Sequence, residues 1–556
     1  MKNYLLHVSA LFVCLFAIPV DAYPEIAQSV YYVNINTGDD SNDGLSWSSA
    51  FKNLQPAIDA AIQGDTIKVT AGTYLPTEKM AEVYNEEATT VLPTNDRHRS
   101  FLIKKEIHLY GGYPADATDA TTTSDRDWTK NETILSGDFN GDDGNAFENT
   151  EENALHVIVM FNVTSSTRLD GFFITGGNAS GDIADVKVDG DDVFRNCGGG
   201  ICALSYNTSS PVLANLTVRD NQAERYGGGF YNLSDAGHAS PLLTNVTMIH
   251  NVAYESGGAI CNDGMNAAPV LRNVNITGNV ASYYGGGLFC YAERIAGPIL
   301  ENTLISGNKA RTGAGAFIIA MLEYAQPEFN NVTVCGNQAS SSNPYPDGGG
   351  GVIISAQMLD AIPHIRNSVF WGNRSDDLVS NLSVEGANRV VTEHVSNLVE
   401  GVTLGAGNLS GDTDPMFVAP VDAALSPTIS GFGDYRLLPG SPLIDKGNNA
   451  FMTLKEDLDG NPRICNDIVD IGAYEFQDDN SGNEIISQDK IMWSHQGDLY
   501  VKISRNDTTL RIFSINGTLV KQFNNLSEGL HVISSLSGDV YLVTLSSGET
   551  AKIIIR

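Results

Sequence analysis

The sequence predicts an all-β protein, a right-handed parallel β-helix solenoid followed by a small antiparallel β-sandwich. Between Cys197 and Asp377, a glycine cluster, a variable segment and a short asparagine-closed strand recur six times. These copies carry no helical periodicity, and the last 66 residues form a separate strand-rich segment with a hairpin signal. A fixed period built from strands and glycine turns is typical of a β-solenoid.

Each repeat closes with a strand in which two asparagines lie six residues apart. The final asparagines follow one another at intervals of 30, 28, 29, 29 and 36 residues. Apolar residues at the second and fourth positions should point inward, because alternate side chains of a strand share a face. We expect the asparagines to turn the corners and to stack into amide ladders. The six closing strands are Asn215–Asn221, Asn245–Asn251, Asn273–Asn279, Asn302–Asn308, Asn331–Asn337 and Asn367–Asn373.

The first 22 residues are expected to be a signal peptide. Lys2 precedes an apolar run at Leu11–Val20, and Val20-Asp21-Ala22 suits cleavage before Tyr23. No later run reaches the length of a transmembrane helix. We therefore expect an exported mature protein that is secreted or held at the cell surface.

Residues 23–477 are predicted to form the β-helix with an N-terminal cap. A strand is expected at Val30–Val33, and Ser49–Ala61 shows the apolar spacing of an amphipathic helix. Such a helix would cover the open first coil. Residues 75–154 are acidic and irregular, with strands predicted near Phe101–Tyr110 and Glu132–Ser136, so regular coils are expected only from about Leu155.

Three sequence blocks resemble exported bacterial β-helix proteins of the pectin-lyase-like fold. The segment YVNINTGDDSNDGLSW resembles the start of such proteins, while Asp434–Asn448 (DYRLLPGSPLIDKGN) and Asp457–Phe476 (DLDGNPRICNDIVDIGAYEF) resemble their terminal segment. This resemblance implies polysaccharide lyases and glycoside hydrolases as relatives in fold. Their catalytic patterns are not legible in this sequence, and Arg219 and Arg272, which could serve as bases, are interpreted as surface residues.

The chain ends in a segment of different composition. Residues 478–490 are predicted to be a polar linker, and residues 491–556 carry six basic and five acidic residues. Strands separated by a turn at Asn516-Gly517 predict an antiparallel sandwich. Gly538–Tyr541 and Lys552 resemble the blocks of the C-terminal sorting domain of type IX secretion substrates. This resemblance implies that the outer-membrane secretion machinery is a partner.

The formal charge of −33 excludes a nucleic-acid-binding surface, since phosphate contacts require a basic one. The chain is expected to be a monomer. The acidity of the chain is consistent with a solvated exterior, and it would also favour the binding of a divalent cation. Asp138, Asn140 and Asp142 place oxygen atoms at alternate positions of one loop, the arrangement that wraps calcium. The loop at Asp457 and the loop at Asp39 are weaker candidates.

Aromatic residues beside the coils are the candidate ligand contacts. Trp371, Tyr283 and Tyr284 could stack on sugar rings, with Tyr226 as a further candidate. We predict a non-catalytic protein that binds a polysaccharide or host surface in the manner of an adhesin. The alternatives are a calcium-dependent polysaccharide lyase or other glycan-cleaving enzyme, and a structural spacer.

Overall fold

A computed structural model divides the chain into two compact units, Met1–Gln477 and Asp478–Arg556. In the first unit it describes residues 28–80, 82–85, 90–92, 95–144, 147–181, 185–188, 191–340, 349–376, 378–425 and 433–477. In the second it describes residues 492–495, 498–503, 506, 508–514, 518–527, 529–533, 536, 539–546 and 550–555. The predicted signal peptide and linker lie outside these residues.

The first unit is a parallel β-helix, as predicted. Each regular coil adds a strand to sheet 2, then one or two strands to sheet 1, then a two-residue strand to sheet 3. Pairing is parallel from coil to coil, except for Glu78–Lys79 and Leu378–Val379, which pair antiparallel.

Sheet 1 contains eighteen strands: Val30–Val33, Thr66–Thr70, Gly72–Tyr74, His108–Tyr113, Thr133–Ser136, Arg168–Asp170, Phe173–Thr175, Val212–Arg219, Leu242–Ile249, Val270–Thr277, Ile299–Glu301, Leu304–Ser306, Glu328–Asn330, Thr333–Cys335, His364–Arg366, Val369–Trp371, Glu393–Val395 and Leu398–Val399. Sheet 2 contains eleven: Glu78–Lys79, Arg99–Ile103, Ile158–Phe161, Ile201–Ser205, Thr208–Ser209, Phe230–Ala239, Ile260–Ala267, Leu288–Ala296, Ala316–Ala320, Val352–Ala356 and Leu382–Gly386.

Sheet 3 contains eight strands: Asn178–Ala179, Gln222–Ala223, Val252–Ala253, Val280–Ala281, Lys309–Ala310, Gln338–Ala339, Arg374–Ser375 and Leu378–Val379. Two small antiparallel sheets accompany the coils: Glu82–Asn85, Thr90–Leu92, Asp185–Val188 and Asp191–Val193 form one, and Phe417–Ala419 and Asp434–Leu437 form the other. The helical elements are the α-helix Leu54–Ala60 and 3₁₀ turns at Trp47–Ser49, Asp96–His98, Thr123–Asp125, Ala423–Leu425 and Asn449–Phe451.

The register confirms the predicted repeat. Leu216 pairs with Val246 and Val246 with Val274, and all three side chains are fully buried in the interior of the solenoid. Coils also continue beyond the predicted limits. Arg99–Ile103 already pairs with the next coil of sheet 2, and Leu382–Gly386 adds a further coil after the last predicted repeat. Long insertions between strands hide the period at the N-terminal end.

The closing asparagines lie inside the solenoid rather than at its corners. The Asn279 side chain is fully buried, its Nδ2 donates to Asn308 Oδ1 at 3.0 Å, and its Oδ1 accepts from Asn251 Nδ2 at 3.1 Å. Equivalent amide bonds join each closing asparagine from 221 to 373 to the next coil. The predicted amide ladder is therefore confirmed, but this set does not turn the corner.

The opening asparagines do turn a corner. Asn215, Asn245 and Asn273 have φ values of 52–54°, and their amides form a second, more exposed ladder with 3.1 Å bonds. The second corner is made by the residue before each closing asparagine, such as Asp220 and Gly278, where φ is again positive. These bends reset the alternation of side chains and turn the closing asparagine inward.

The predicted cap is present but shorter than Ser49–Ala61. The α-helix begins at Leu54, because the Asp40 carboxylate accepts hydrogen bonds from the backbone N–H groups of Lys52 and Asn53 and holds the preceding residues in a loop. Gln55 both donates to the carbonyl of Leu102 and accepts from its N–H, so its side-chain amide covers the edge of sheet 2 as a neighbouring strand would.

The C-terminal part of the first unit packs over the outer face of the last coils of sheet 1. Residues Phe417, Tyr435, Leu443 and Ile471 share one apolar cluster with Val369 of that sheet. No described helix has the length and apolarity needed to cross a bilayer.

The second unit is the predicted antiparallel sandwich. One sheet contains Met492–His495, Asp498–Ile503 and Gly529–Ile533, and the other contains Thr508–Ser514, Leu519–Leu526, Asp539–Leu545 and Thr550–Ile555. Leu499 and Val501 from the first sheet bury their side chains in one core with Leu510, Ile512 and Val543 from the second. The predicted hairpin turn at Asn516-Gly517 falls outside the described residues.

Candidate functional site

A groove of about 380 Å³ lies on the outer face of sheet 2. Tyr283 and Tyr284, both predicted ligand contacts, lie in its wall. The lining consists of aromatic side chains, two carboxylates and two small residues: Tyr226, Glu255, Ser256, Cys261, Asp263, Tyr283, Tyr284, Phe289 and Tyr291.

The floor of the groove follows from the alternation along two neighbouring strands. In Ile260–Ala267, Ile260 and Asn262 point into the interior, so Cys261 and Asp263 point outward. The next strand places Phe289 beside Cys261 and Tyr291 beside Asp263. One coil therefore supplies the polar part of the floor and the following coil supplies its aromatic part.

The wall comes from the turns that precede these strands. Tyr226, Ser256 and Tyr284 stack on one another in successive coils through isolated parallel bridges. Each turn is followed by a glycine with positive φ. Gly257 has a φ of 71°, and a Cβ there would lie 2.6 Å from the carbonyl oxygen of Ile260. Glycine thus allows the turn to fold back tightly over the outer face of sheet 2.

The tyrosines of the wall differ in how much of each ring is exposed to solvent. Tyr284 packs against Phe317 at a ring distance of 4.9 Å and stacks on Phe289 at 6.0 Å, so much of its surface is used within the protein. Tyr226 stacks on Tyr231 in the same way. Tyr283 is 46% exposed and presents its ring to solvent. Of the predicted contacts, Tyr283 is therefore the most accessible to a ligand.

The two carboxylates of the groove have different surroundings. Glu255 accepts a hydrogen bond from Arg225 Nε at 3.2 Å, and Arg225 also donates to the hydroxyl of Tyr226 at 3.1 Å. Asp263 forms no ion pair with any described residue. Burial, and then the negative charge of Asp235, raise the pKa of Asp263 to about 6. Glu255 is thus neutralised by the protein, whereas Asp263 is not.

Trp371 lies on sheet 1, two coils after the coil that carries Tyr284, and therefore not on the sheet of this groove. It ends the sheet 1 strand Val369–Trp371 and packs, half-buried, against the apolar cluster that includes Leu398 and Phe417. Its indole therefore belongs to the contact between the last coils and the segment that covers them, and the structure does not bring it together with Tyr283 and Tyr284.

The predicted metal loop contains a group of carboxylates. Ligand atoms of Asp138, Asp142 and Glu152 lie within 4.8 Å of one another. Asp138 Oδ1 also accepts hydrogen bonds from the backbone N–H groups of Asn140 and Gly141, at 3.2 and 2.6 Å. Glu152 Oε1 is buried and has no hydrogen-bond partner among the described residues. The oxygen donors present are of the type that calcium prefers.

Burial and neighbouring negative charges raise the pKa of Asp143, the carboxyl next to Asp142 in this loop. Burial raises the pKa of Asp143 to about 6, and the charges of Asp138, Glu152 and Asp142 add to this effect. The backbone N–H of Asn140 donates its hydrogen bond to Asp138 within the loop. At the weaker candidate loop, the Asp457 carboxylate accepts hydrogen bonds from the backbone N–H groups of Asp459, Asn461 and Glu475. These hydrogen bonds explain the carboxylate of Asp457 as the stabilising group of a turn.

The chain is similar to several solved structures, with TM-scores below 0.5. No family model and no curated protein matches the sequence. Among solved structures, pectate lyase Pel9A is 14% identical with a TM-score of 0.38, over 81% of this chain and 96% of that one. XylC, solved with xylose, is 10% identical with a TM-score of 0.32, over 81% and 99%. A rhamnogalacturonan lyase is 10% identical with a TM-score of 0.25, over 70% and 91%.

Proposed function

We propose that this chain binds saccharides through the groove on sheet 2, without cleaving them, as a secreted or surface-delivered protein. The observation that supports this most is the exposed ring of Tyr283 beside Tyr284, Tyr291 and the carboxylate of Asp263 in one groove. Aromatic faces combined with a few polar groups are what a sugar-binding site requires, since a sugar ring has both apolar faces and hydroxyl groups.

The chemistry of the groove favours binding over cleavage. A glycosidase needs two carboxylates that act as acid and as base or nucleophile. Here Glu255 is engaged by Arg225, whereas Asp263 forms no ion pair within the described part of the chain. The thiol of Cys261 is buried, and burial raises its pKa well above the ordinary value, so it is a poor nucleophile.

A calcium-dependent glycan-cleaving enzyme is the second candidate. The cluster of the Asp138, Asp142 and Glu152 carboxylates favours it, because Glu152 Oε1, which has no hydrogen-bond partner in the described part of the chain, would become a ligand of a bound cation. Asp138, Asp142 and Glu152 would hold calcium in this case, and the ion would supply Lewis-acid stabilisation of a substrate carboxylate. Arg272 is paired with Glu301 at 2.6 Å, so it is not a free base in this arrangement.

Delivery to the surface is part of the proposal. The first 22 residues would direct export, and the sandwich of residues 491–556 would engage the outer-membrane secretion machinery. Fractionation of cells that express the chain with and without residues 491–556 tests this route. Retention of the truncated chain in the periplasm supports it, and normal surface delivery without the sandwich contradicts it.

Incubation of the purified chain with a panel of neutral, amino and uronic-acid glycans distinguishes the two candidates. We expect retention of at least one glycan in affinity electrophoresis, with no new unsaturated or reducing ends, and no effect of EDTA. New products that vanish with chelator would establish the enzyme instead. The absence of both binding and turnover would leave the spacer interpretation.

A further inference from the structure

The groove contains a negative charge that forms no ion pair with a cation among the described residues. Its lining includes no lysine or arginine. Arg225, just outside, is already held by Glu255 and by the hydroxyl of Tyr226. Arg311 takes the position of Tyr283 in the following coil and is not part of the groove lining. Asp263 therefore faces the groove as an unmatched carboxylate.

Further negative charge lies beside Asp263. Asp235 is exposed on the preceding strand of sheet 2, and its charge acts on Asp263. The charges of Asp263 and Glu293 both contribute to raising the pKa of Tyr291, after burial. A ligand carboxylate placed here would meet like charges on both sides, which is unfavourable at short range.

The aromatic wall of the groove favours a cationic ligand over an anionic one such as a uronate. Tyrosine faces carry partial negative charge and attract a cation that lies over the ring. Tyr283 and Tyr284 are 6.4 Å apart, and Tyr291 stands beside Asp263. An ammonium group near Asp263 would gain both an ion pair and aromatic contacts, a combination that is used for amine recognition.

We propose that the groove selects saccharides with a free amine, whose ammonium group pairs with Asp263, over uronates and over N-acetylated sugars. This inference rests on the proposed function. A lysine-containing peptide offers the same ammonium group, but an extended peptide binds a sheet by adding a strand at an open edge. Ile260–Ala267 and Leu288–Ala296 are hydrogen-bonded on both sides, so no such edge is present at the groove.

Binding titrations of the full chain with four probes, carried out just below neutral pH, test the inference. The probes are a glucosamine oligosaccharide, its N-acetylated counterpart, an oligogalacturonate and a lysine-containing peptide. We expect the amine oligosaccharide to bind at least about tenfold more tightly than the N-acetylated one, and the other two to bind more weakly still. Asp263→Asn should remove this tenfold preference of the amine oligosaccharide over the N-acetylated one.

Asp235→Asn is the matched control, since this carboxylate lies outside the groove, and it should retain most of the preference. Equal affinity for the two oligosaccharides, tightest binding of the oligogalacturonate or the peptide, or an unchanged preference in Asp263→Asn would overturn the inference. If N-acetylated sugars bind and the amine brings no gain, the inference fails while the proposed function stands. If no saccharide binds, both fail.

Discussion

Replacing Asn279 by leucine is expected to lower the free energy of unfolding by about 4 kcal/mol, because several buried polar groups lose their partners together. Asn279 Nδ2 donates to the carbonyls of Met248 and Thr277, and its Oδ1 accepts from both the backbone and the side chain of Asn251. Leucine has a similar volume but offers none of these bonds. Chemical denaturation of the full chain measures the change.

Asn273→Gly is the matched control for this ladder. Asn273 lies in the more exposed ladder and has a φ of 53°, which glycine adopts without strain. Its replacement should cost about 1 kcal/mol or less. A loss below about 1 kcal/mol for Asn279→Leu would show that the internal ladder is not a main source of stability.

Replacing Arg463 by methionine is the second change with a large expected effect. Arg463 is 1% exposed, donates to the carbonyl of Gly472 and lies among three carboxylates, those of Glu475, Asp457 and Asp470. Removal of one member of a buried charged group typically costs about 3–5 kcal/mol, because the remaining charges lose their compensation. We expect a loss of this size, with faster hydrogen exchange in residues 457–476.

The loss of unfolding free energy in Arg463→Met should depend on pH. Burial raises the pKa of Glu475 to about 7 and that of Asp470 to about 6. A carboxyl whose folded-state pKa is raised favours the folded state at low pH, and that contribution disappears as the pH rises through the folded-state value. The Arg463→Met loss should therefore be smaller near pH 5 than near pH 8, where the carboxylates are charged.

Arg436→Met provides the comparison, since Arg436 pairs with Asp434 at a partly exposed site with 40% of the arginine side chain accessible. A pair of this kind is worth about 1 kcal/mol or less. Equal losses for Arg436→Met and Arg463→Met, or a loss for Arg463→Met that does not change with pH, would contradict the role assigned to the buried arginine.

The repeat period was enough to predict the coils, their register and the inward apolar rows. The direction of the closing asparagines was not predictable by counting along the strand, because the left-handed residues at both corners interrupt the alternation. Coils near Arg99–Ile103 were hidden by long insertions before and after them. These errors have one origin, since side-chain parity is a local rule that a corner or an insertion resets.

The candidate site was predicted only in part. Tyr283 and Tyr284 are predictable as aromatics beside the coils, but Asp263 and Tyr291 are not, because they lie in the variable segments. Alignment of the repeats would have found them, since Leu233, Asp263 and Tyr291 hold the same position in successive coils. The position of Trp371 was not predictable for another reason. A segment that follows it much later in the chain covers its ring, and no repeat pattern predicts that contact.

The most direct test of saccharide binding at the sheet 2 groove is calorimetric titration of Tyr283→Ala with the best-bound glycan from the panel. Tyr283 is 46% exposed, so its truncation should leave the fold intact. The account predicts at least about a tenfold loss of affinity, the value of one lost aromatic contact. Tyr206→Ala, at a tyrosine that is 64% exposed and outside the groove, should bind as the wild type does. Unchanged affinity in Tyr283→Ala, or an equal loss in Tyr206→Ala, would contradict it.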